Sequence, residues 1–434
     1  MSKRMRARRS GVAAAGVALV VALAGCSGSG GGSGGSQSSG ATLWGLTGTD
    51  QTAVIAPSLT DWNKANAKGP ISANYFANDA YKTKIRTAVG AGSAPTIIYS
   101  WAGGTLNSYV SAKKVVDLTS QTAAIKGNYL PSVWGQGVVG GKTYAVPMNA
   151  VTPALFYYNK DVLKKAGVAT PTTFDDVIAA IPKLKAAGVT PIALAGASKW
   201  PELMWEEYLV DRVAGPDAFN SVMAGKKDSW SDPGIIKANE MIQQLVKAGA
   251  FTGFNSVTAD SSADVALLYT GKAAMLLQGA WIYGTLQQQA ASFTKSGLGY
   301  SSFPAVTGGK GDPSDLAGNP SGYFSVSSAA SKAQQASAID YLTKGLFDSA
   351  YTARMIKAGQ VPPIQGIGSK VAAGGTFPST VYSLTQSAKN FQMSWDQALP
   401  PAQATALLTR LDQLFNLKVT PEQFSAGMNQ TIGQ

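Results

Sequence analysis

The sequence predicts an α/β protein of two domains, each a sheet flanked by helices. Three observations lead there. The chain has 434 residues, 45% of them hydrophobic, enough for two domains of ordinary size with separate cores. Short apolar runs bounded by glycine or polar residues alternate with helical periodicities, the pattern of parallel strands joined by crossover helices. The third observation is the stretch Gly271–Gly284, in which a buried strand, Ala273–Leu277, precedes a glycine turn at Gly279 and then Trp281. In open α/β sheets ligands collect at the carboxyl ends of strands, and a flat indole held there is a stacking platform.

The amino terminus has a different character. Lys3, Arg4, Arg6, Arg8 and Arg9 are followed by an apolar run from Gly11 to Gly25, too short to span a bilayer as a mature helix. The run ends Leu23-Ala24-Gly25-Cys26, which resembles the lipobox of bacterial lipoproteins. That resemblance implies cleavage before Cys26 and a diacylglyceryl group on its sulfur. Residues 1–25 then form a lipoprotein signal peptide, and the body stands lipid-anchored on the extracellular face of a Gram-positive cell membrane. Cys26 is the sole cysteine, so no disulfide holds the fold. Residues 26–40 are almost pure Gly and Ser, a flexible linker. The net charge of +12 falls to +7 once the five basic leader residues are set aside. The remaining charges are scattered singly, which argues against a nucleic-acid surface.

Beyond the linker, Ala41–Leu46 reads as a strand broken by Gly45 and Gly48, with Thr49 or Asp50 capping a helix to about Ala67. Ile71–Phe76 alternates as a second strand closed by Asn78 and Asp79, Tyr81–Ala91 is helical, and Pro95–Trp101 is a third strand. Polar residues, glycines and one aromatic therefore recur at strand ends: Gly48, Asn78, Asp79, Trp101. Further on, Pro147 and Pro153 flank a bending segment. Helices at 161–166 and 171–187 lead to a buried strand, Pro191–Ala195. Next come Trp200 and Glu202, then a helix carrying Trp205, Glu206 and Glu207. Leu203, Met204 and Leu209 have core spacing, and Trp205 can join them, so Trp200 and Glu202 are the better ligand candidates. The tail from Ser331 is helical in pattern, with Gln360–Pro363 and Trp395–Leu399 as loop features.

Four stretches share a likeness: Gly279–Trp281 with Leu298–Pro304, Ser93–Ala102, Tyr109–Leu118, and above all Tyr144–Asp161. They resemble the extracellular solute-binding proteins (family 1) of carbohydrate ABC importers, whose best-known member is maltose-binding protein. The resemblance covers most of Ala41–Gln434. It implies a two-lobed, periplasmic-binding-protein-like fold joined by a multi-crossover hinge. The expected lobes are 41–150 with 305–324, and 151–304 with 325–434. Crossings are expected at Tyr144–Asp161, Gly299–Phe303 and Gly322–Val326, with Pro304–Ser321 an excursion back to the first lobe. The implied partners are an oligosaccharide held between the lobes, ABC permease transmembrane subunits, and the membrane through the lipid anchor. No cofactor, metal or nucleic acid is implied, and the chain is expected as a monomer. Ligand contacts are expected from Asn78, Asp79 and Trp101 in the first lobe, Asn149 at the crossing, and Trp200, Glu202 and Trp281 in the second. Gln360, Trp395 and Asp396 are expected to be returned to the cleft by the tail. The run Tyr99–Ala112 is most similar to actinobacterial importers of xylo- or other β-linked oligosaccharides.

Several enzyme classes are excluded by composition. Histidine is absent, which removes Ser-His-Asp and Cys-His catalysis and histidine metal sites. Gly141-Lys142-Thr143 lacks the glycine of a phosphate-binding loop, since Gln136 stands at the required spacing. A secreted lipoprotein glycoside hydrolase needs only two carboxylates and is the alternative the residues leave open; the family resemblance weighs against it.

Overall fold

The computed structural model describes residues 40–433. The leader, Cys26 and the linker up to residue 39 lie outside the described residues. Among the described residues eleven strands build two sheets: β1 Ala41–Leu46, β2 Ile71–Phe76, β3 Ile97–Ser100, β4 Val146–Pro147, β5 Thr152–Asn159, β6 Thr190–Ala193, β7 Ala273–Gly279, β8 Leu298–Ser301, β9 Leu316–Asn319, β10 Tyr323–Val326 and β11 Phe391–Met393. A separate hairpin pairs Val138–Val139 with Lys142–Thr143.

The first sheet has the order β2-β1-β3-β10-β4. β1 runs parallel to both neighbours, Ala41 facing Ile71 and Leu43 facing Ile97. β10 is antiparallel to β3 and to β4. All four residues of β3 are buried, as befits a central strand covered on both faces. Its core joins Leu43, Ile97, Ile98, Tyr323 and Phe324 to Tyr341, Tyr351 and Met355 from later helices.

The second sheet has the order β11-β9-β5-β7-β6, with β8 also paired to β5. β7 lies antiparallel to β5, Ala154 facing Gly279, and β6 is parallel to β7. Alternate residues of β5 and β7 feed different clusters. Phe156 and Leu277 enter one core, while Leu155, Tyr157 and Leu276 enter another, the period of two that a doubly covered strand imposes. No helix among the described residues is long and apolar enough to cross a membrane.

The chain passes from sheet to sheet between β4 and β5, and again between β9 and β10. It crosses a third time after the helix Ser349–Lys357, whose Tyr351 and Met355 sit in the first core while Ile367 and Val371 sit in the second lobe. Two expectations are corrected here. Gly299–Phe303 is not a crossing: β8 stays on β5, Leu298 facing Asn159. Nor does Pro304–Ser321 return to the first lobe. The buried Arg212 guanidinium donates to the carbonyls of Pro313 (3.2 Å) and Asp315 (2.9 Å), tying the excursion to the second lobe, and β9 pairs with β5. Conversely, the helices Lys332–Lys344 and Ser349–Lys357 pack on the first core. The expected boundaries therefore shift, because the tertiary pairing of short strands is not written in their local pattern.

Candidate functional site

Between the carboxyl ends of the strands lies a cavity of about 250 Å³, lined from both lobes, a volume suited to a small molecule rather than a polymer. Three tryptophans are on its wall: Trp101, Trp200 and Trp281.

Trp101 follows β3 directly and packs edge-on to Tyr99, ring centroids 4.9 Å apart, and to Tyr81 at 6.0 Å. The backbone then turns through Ala102 and Gly103, both at positive φ. Gly103 is doubly constrained, since a Cβ there would lie 2.2 Å from the carbonyl oxygen of Gln397. Trp281 follows β7, and its ring folds back over Gly279, where a Cβ would come within 1.9 Å of the indole. Any side chain at 279 would displace the platform. Trp200 opens the helix Trp200–Ala214 and meets Trp281 at 5.9 Å with the rings tilted by 56°. The two make one aromatic wall, and the indole N–H of Trp200 has no protein partner.

Polar groups surround these rings. Asn78 lines the cavity and donates to the Asp79 carboxylate (2.9 Å). Asp79 is not on the wall; its backbone N–H donates across to Asp260 (3.2 Å), which is. Asn149 is on the wall and donates to Asp50. Gln360 is not, but it stands behind Asp50 and donates to its other oxygen. Burial raises the Asp50 pKa against the lowering effect of those two amides. Asp396 lines the cavity and pairs with Lys82 at 3.0 Å. The Lys82 ammonium also lies 5.3 Å from the centre of the Trp101 ring.

Besides Asp79 and Gln360, two more expected ligand contacts are off the wall, and these lie in the core. Glu202 is fully buried, off the cavity wall, and neither of its oxygens has a hydrogen-bond partner. Burial, and then nearby Asp412, push its pKa up to about 9, so the group is a neutral acid at pH 7. Trp395 is also wholly buried, stacked on Phe219 with centroids 4.1 Å apart and edge-on to Trp230. Trp205, Glu206 and Glu207 of the same helix are core residues too. The physical reason is that Trp200–Ala214 is packed on all sides, so even its polar residues face protein. Glu207 is used structurally, accepting from Ser394 Oγ (2.9 Å) and the Trp395 N–H (2.7 Å).

A test of this placement is Glu202→Gln. A carboxyl whose folded pKa is raised above its unfolded value stabilises the fold below the unfolded pKa, and that contribution is lost as pH rises through the folded pKa. Replacing it with an amide should leave melting unchanged near pH 4 and raise it by a few degrees (~2–4 °C per kcal/mol) near pH 9. Sugar binding should be unaffected.

Sequence reasoning missed Asp50, Asp260, Asp264 and Gln278, all on the wall. Asp50 had a signal: it follows β1 as Asn78 follows β2 and Trp101 follows β3. Its place before a helical run reads as a cap, yet its side chain makes no cap hydrogen bond. Asp264 is buried, held by Gln278 Nε2 (2.8 Å), and raised to about 6 by that burial. Its signal was absent, since an acidic residue in the first turn of a helix is ordinary. Among the described residues no group of acidic, histidine or cysteine side chains could hold a metal ion.

Comparison with known proteins agrees with this geometry. A structure reported under xylan utilization by the thermophilic bacterium Caldanaerobius polysaccharolyticus superposes with a TM-score of 0.83 at 30% identity, covering 91% of this chain and 100% of that one. A chitin oligosaccharide binding protein superposes at 0.81 with 24% identity over 90% of this chain and 97% of its own, a likeness of fold. A probable sugar-binding periplasmic protein of Mesorhizobium japonicum is 30% identical over 65% of this chain and 66% of its own length. An uncharacterized ABC transporter extracellular-binding protein of Pyrococcus horikoshii is 29% identical over 56% of this chain and 54% of its own. The chain thus spans between half and two thirds of these two curated relatives. Residues 38–344 match the family described as bacterial extracellular solute-binding protein, and the chain belongs to that family.

Proposed function

We propose that the chain is the lipid-anchored receptor of an ABC importer, capturing an oligosaccharide between its lobes and delivering it to a permease. The observation that carries this reading is the cavity wall, where Trp101 from the first lobe faces a site shared with Trp200 and Trp281 from the second. Aromatic rings cover the apolar faces of pyranose rings, and the amides and carboxylates beside them bond the hydroxyls. Asn78, Trp101, Asn149, Trp200, Trp281 and Asp396 are the proposed ligand contacts, with Asp79 and Gln360 supporting them from behind. Each lobe supplies part of the contact, so ligand favours the closed arrangement by differential affinity. Xylo-oligosaccharides are the proposed ligand class, supported by the relative at 30% identity and by the run Tyr99–Ala112.

The reading is one of binding without chemistry. Incubated with a panel of α- and β-linked oligosaccharides, the protein should deplete free sugar in proportion to its own concentration and return it unshortened on denaturation. Shortened products accumulating with time and protein would transfer the site to the glycoside hydrolases.

Anchoring is proposed to rest on Cys26. Cys26→Ser should move the protein from the membrane fraction to the medium with its melting curve intact. Retention of the serine form in the membrane fraction would show another anchor.

A further inference from the structure

Four carboxylates line the main cavity: Asp50, Asp260, Asp264 and Asp396. Among the described residues, Lys82 is the one basic side chain on the same wall, and it is already committed to Asp396 at 3.0 Å. Arg86 lines only a smaller adjoining chamber that shares Trp101. The hydrogen-bond partners of the other three carboxylates carry no charge, although at Asp260, where burial and then Asp79 raise the pKa, the Lys82 ammonium acts against them. Asp50 accepts from Asn149 and Gln360. Asp260 accepts from the backbone N–H of Asp79. Asp264 accepts from Gln278 Nε2 (2.8 Å) and the Val265 N–H (2.9 Å).

The neutral groups on the wall point the same way. Gln397 is more than nine-tenths buried, and its Oε1 has no hydrogen-bond partner; Asn319 Oδ1 is likewise buried and unpartnered. Both are acceptors awaiting a donor. Among the described residues, the Trp200 indole N–H is the buried side-chain donor on the wall without a partner. A sugar hydroxyl donates and accepts at once, whereas an ionised carboxylate only accepts. Placed here, it would leave Gln397 and Asn319 unsatisfied and add a like charge beside buried Asp264 and half-buried Asp50, where screening by water is weaker than at exposed Asp260.

We infer that the cleft rejects acidic sugars: it takes neutral oligosaccharides and excludes the same glycans when they carry a uronic acid. The inference rests on the sugar-binding reading above and deepens it. Selectivity lies in the excess of Asp50 and Asp264, whose hydrogen-bond partners are neutral, over any free cation, with Gln397 and Asn319 demanding hydroxyl donors.

The test is calorimetric titration of the intact chain with xylotriose, with xylotriose bearing one glucuronosyl branch, and with the methyl ester of that branched sugar. The ester matches the acid in size and lacks its charge. The expected result is binding of xylotriose and the ester, with the acid weaker than the ester by about 10-fold or more. Asp264→Asn should narrow the ester-to-acid ratio by about 3-fold or more, which a purely steric rejection would not do. Equal rejection of acid and ester would assign the exclusion to size, and equal binding of the two would remove it; either overturns the inference while leaving a sugar receptor. Absence of binding to xylotriose and to every other neutral sugar of the panel is a distinct result, which overturns the reading beneath.

Discussion

Trp395→Ala is expected to cost about 3–5 kcal/mol of stability, the usual result of truncating a wholly buried tryptophan. The ring is sealed between Phe219, Trp230 and the second-lobe core. Its loss leaves a hole the neighbours cannot fill, because Phe219 is stacked on the ring and Trp230 meets it edge-on, each fixed in its own helical segment. The backbone of the same residue is pinned by Glu207, whose buried carboxyl accepts from the Trp395 N–H. Local collapse is therefore opposed from two directions. The melting temperature should fall by on the order of 10 °C. A parent-like melting curve together with loss of sugar binding would move Trp395 from the core to the cleft.

Trp281→Ala should behave in the opposite way. Its ring is half-buried, on the cavity wall, and packed against Trp200 across 5.9 Å. Stacking on an aromatic side chain contributes about 1–3 kcal/mol per ring by analogy with base stacking, so sugar affinity should fall roughly 5- to 150-fold. The circular dichroism should remain that of the parent, since β7 itself is anchored by β5 and β6. Unchanged affinity with a large drop in melting temperature would return Trp281 to the core. The contrast between the two variants separates two tryptophans that look alike in the sequence.

That contrast also shows where the sequence is legible. Strand positions were readable from two patterns: Ile71–Phe76 alternates at the edge of its sheet and is a strand as expected, while Ala273–Leu277, an apolar run buried throughout, extends to Gly279. The strand-end rule put Asn78, Trp101 and Trp281, which follow β2, β3 and β7, on the cavity wall, since open spaces for ligands form at the carboxyl ends of strands. The rule had no purchase on Glu202, which sits beside Trp200 in sequence but turns inward on its helix. Trp395 and Asp396 make the same point within two residues, one sealed in the core and the other on the cavity wall. Hydrophobic periodicity cannot resolve neighbours in a four-residue helix. The lobe boundaries failed at Pro304–Ser321 because Arg212, a residue about a hundred positions earlier, decides where that excursion lies.

In the proposed receptor one ligand is enclosed by aromatic rings from both lobes. The most direct measurement is a calorimetric titration of the parent, Trp101→Ala and Trp281→Ala with the oligosaccharide that binds tightest in the panel. The expected result is one site per chain in the parent and weaker binding, with the fold retained, in both variants. Binding undisturbed by Trp101→Ala, or no sugar bound by the parent at all, would contradict it.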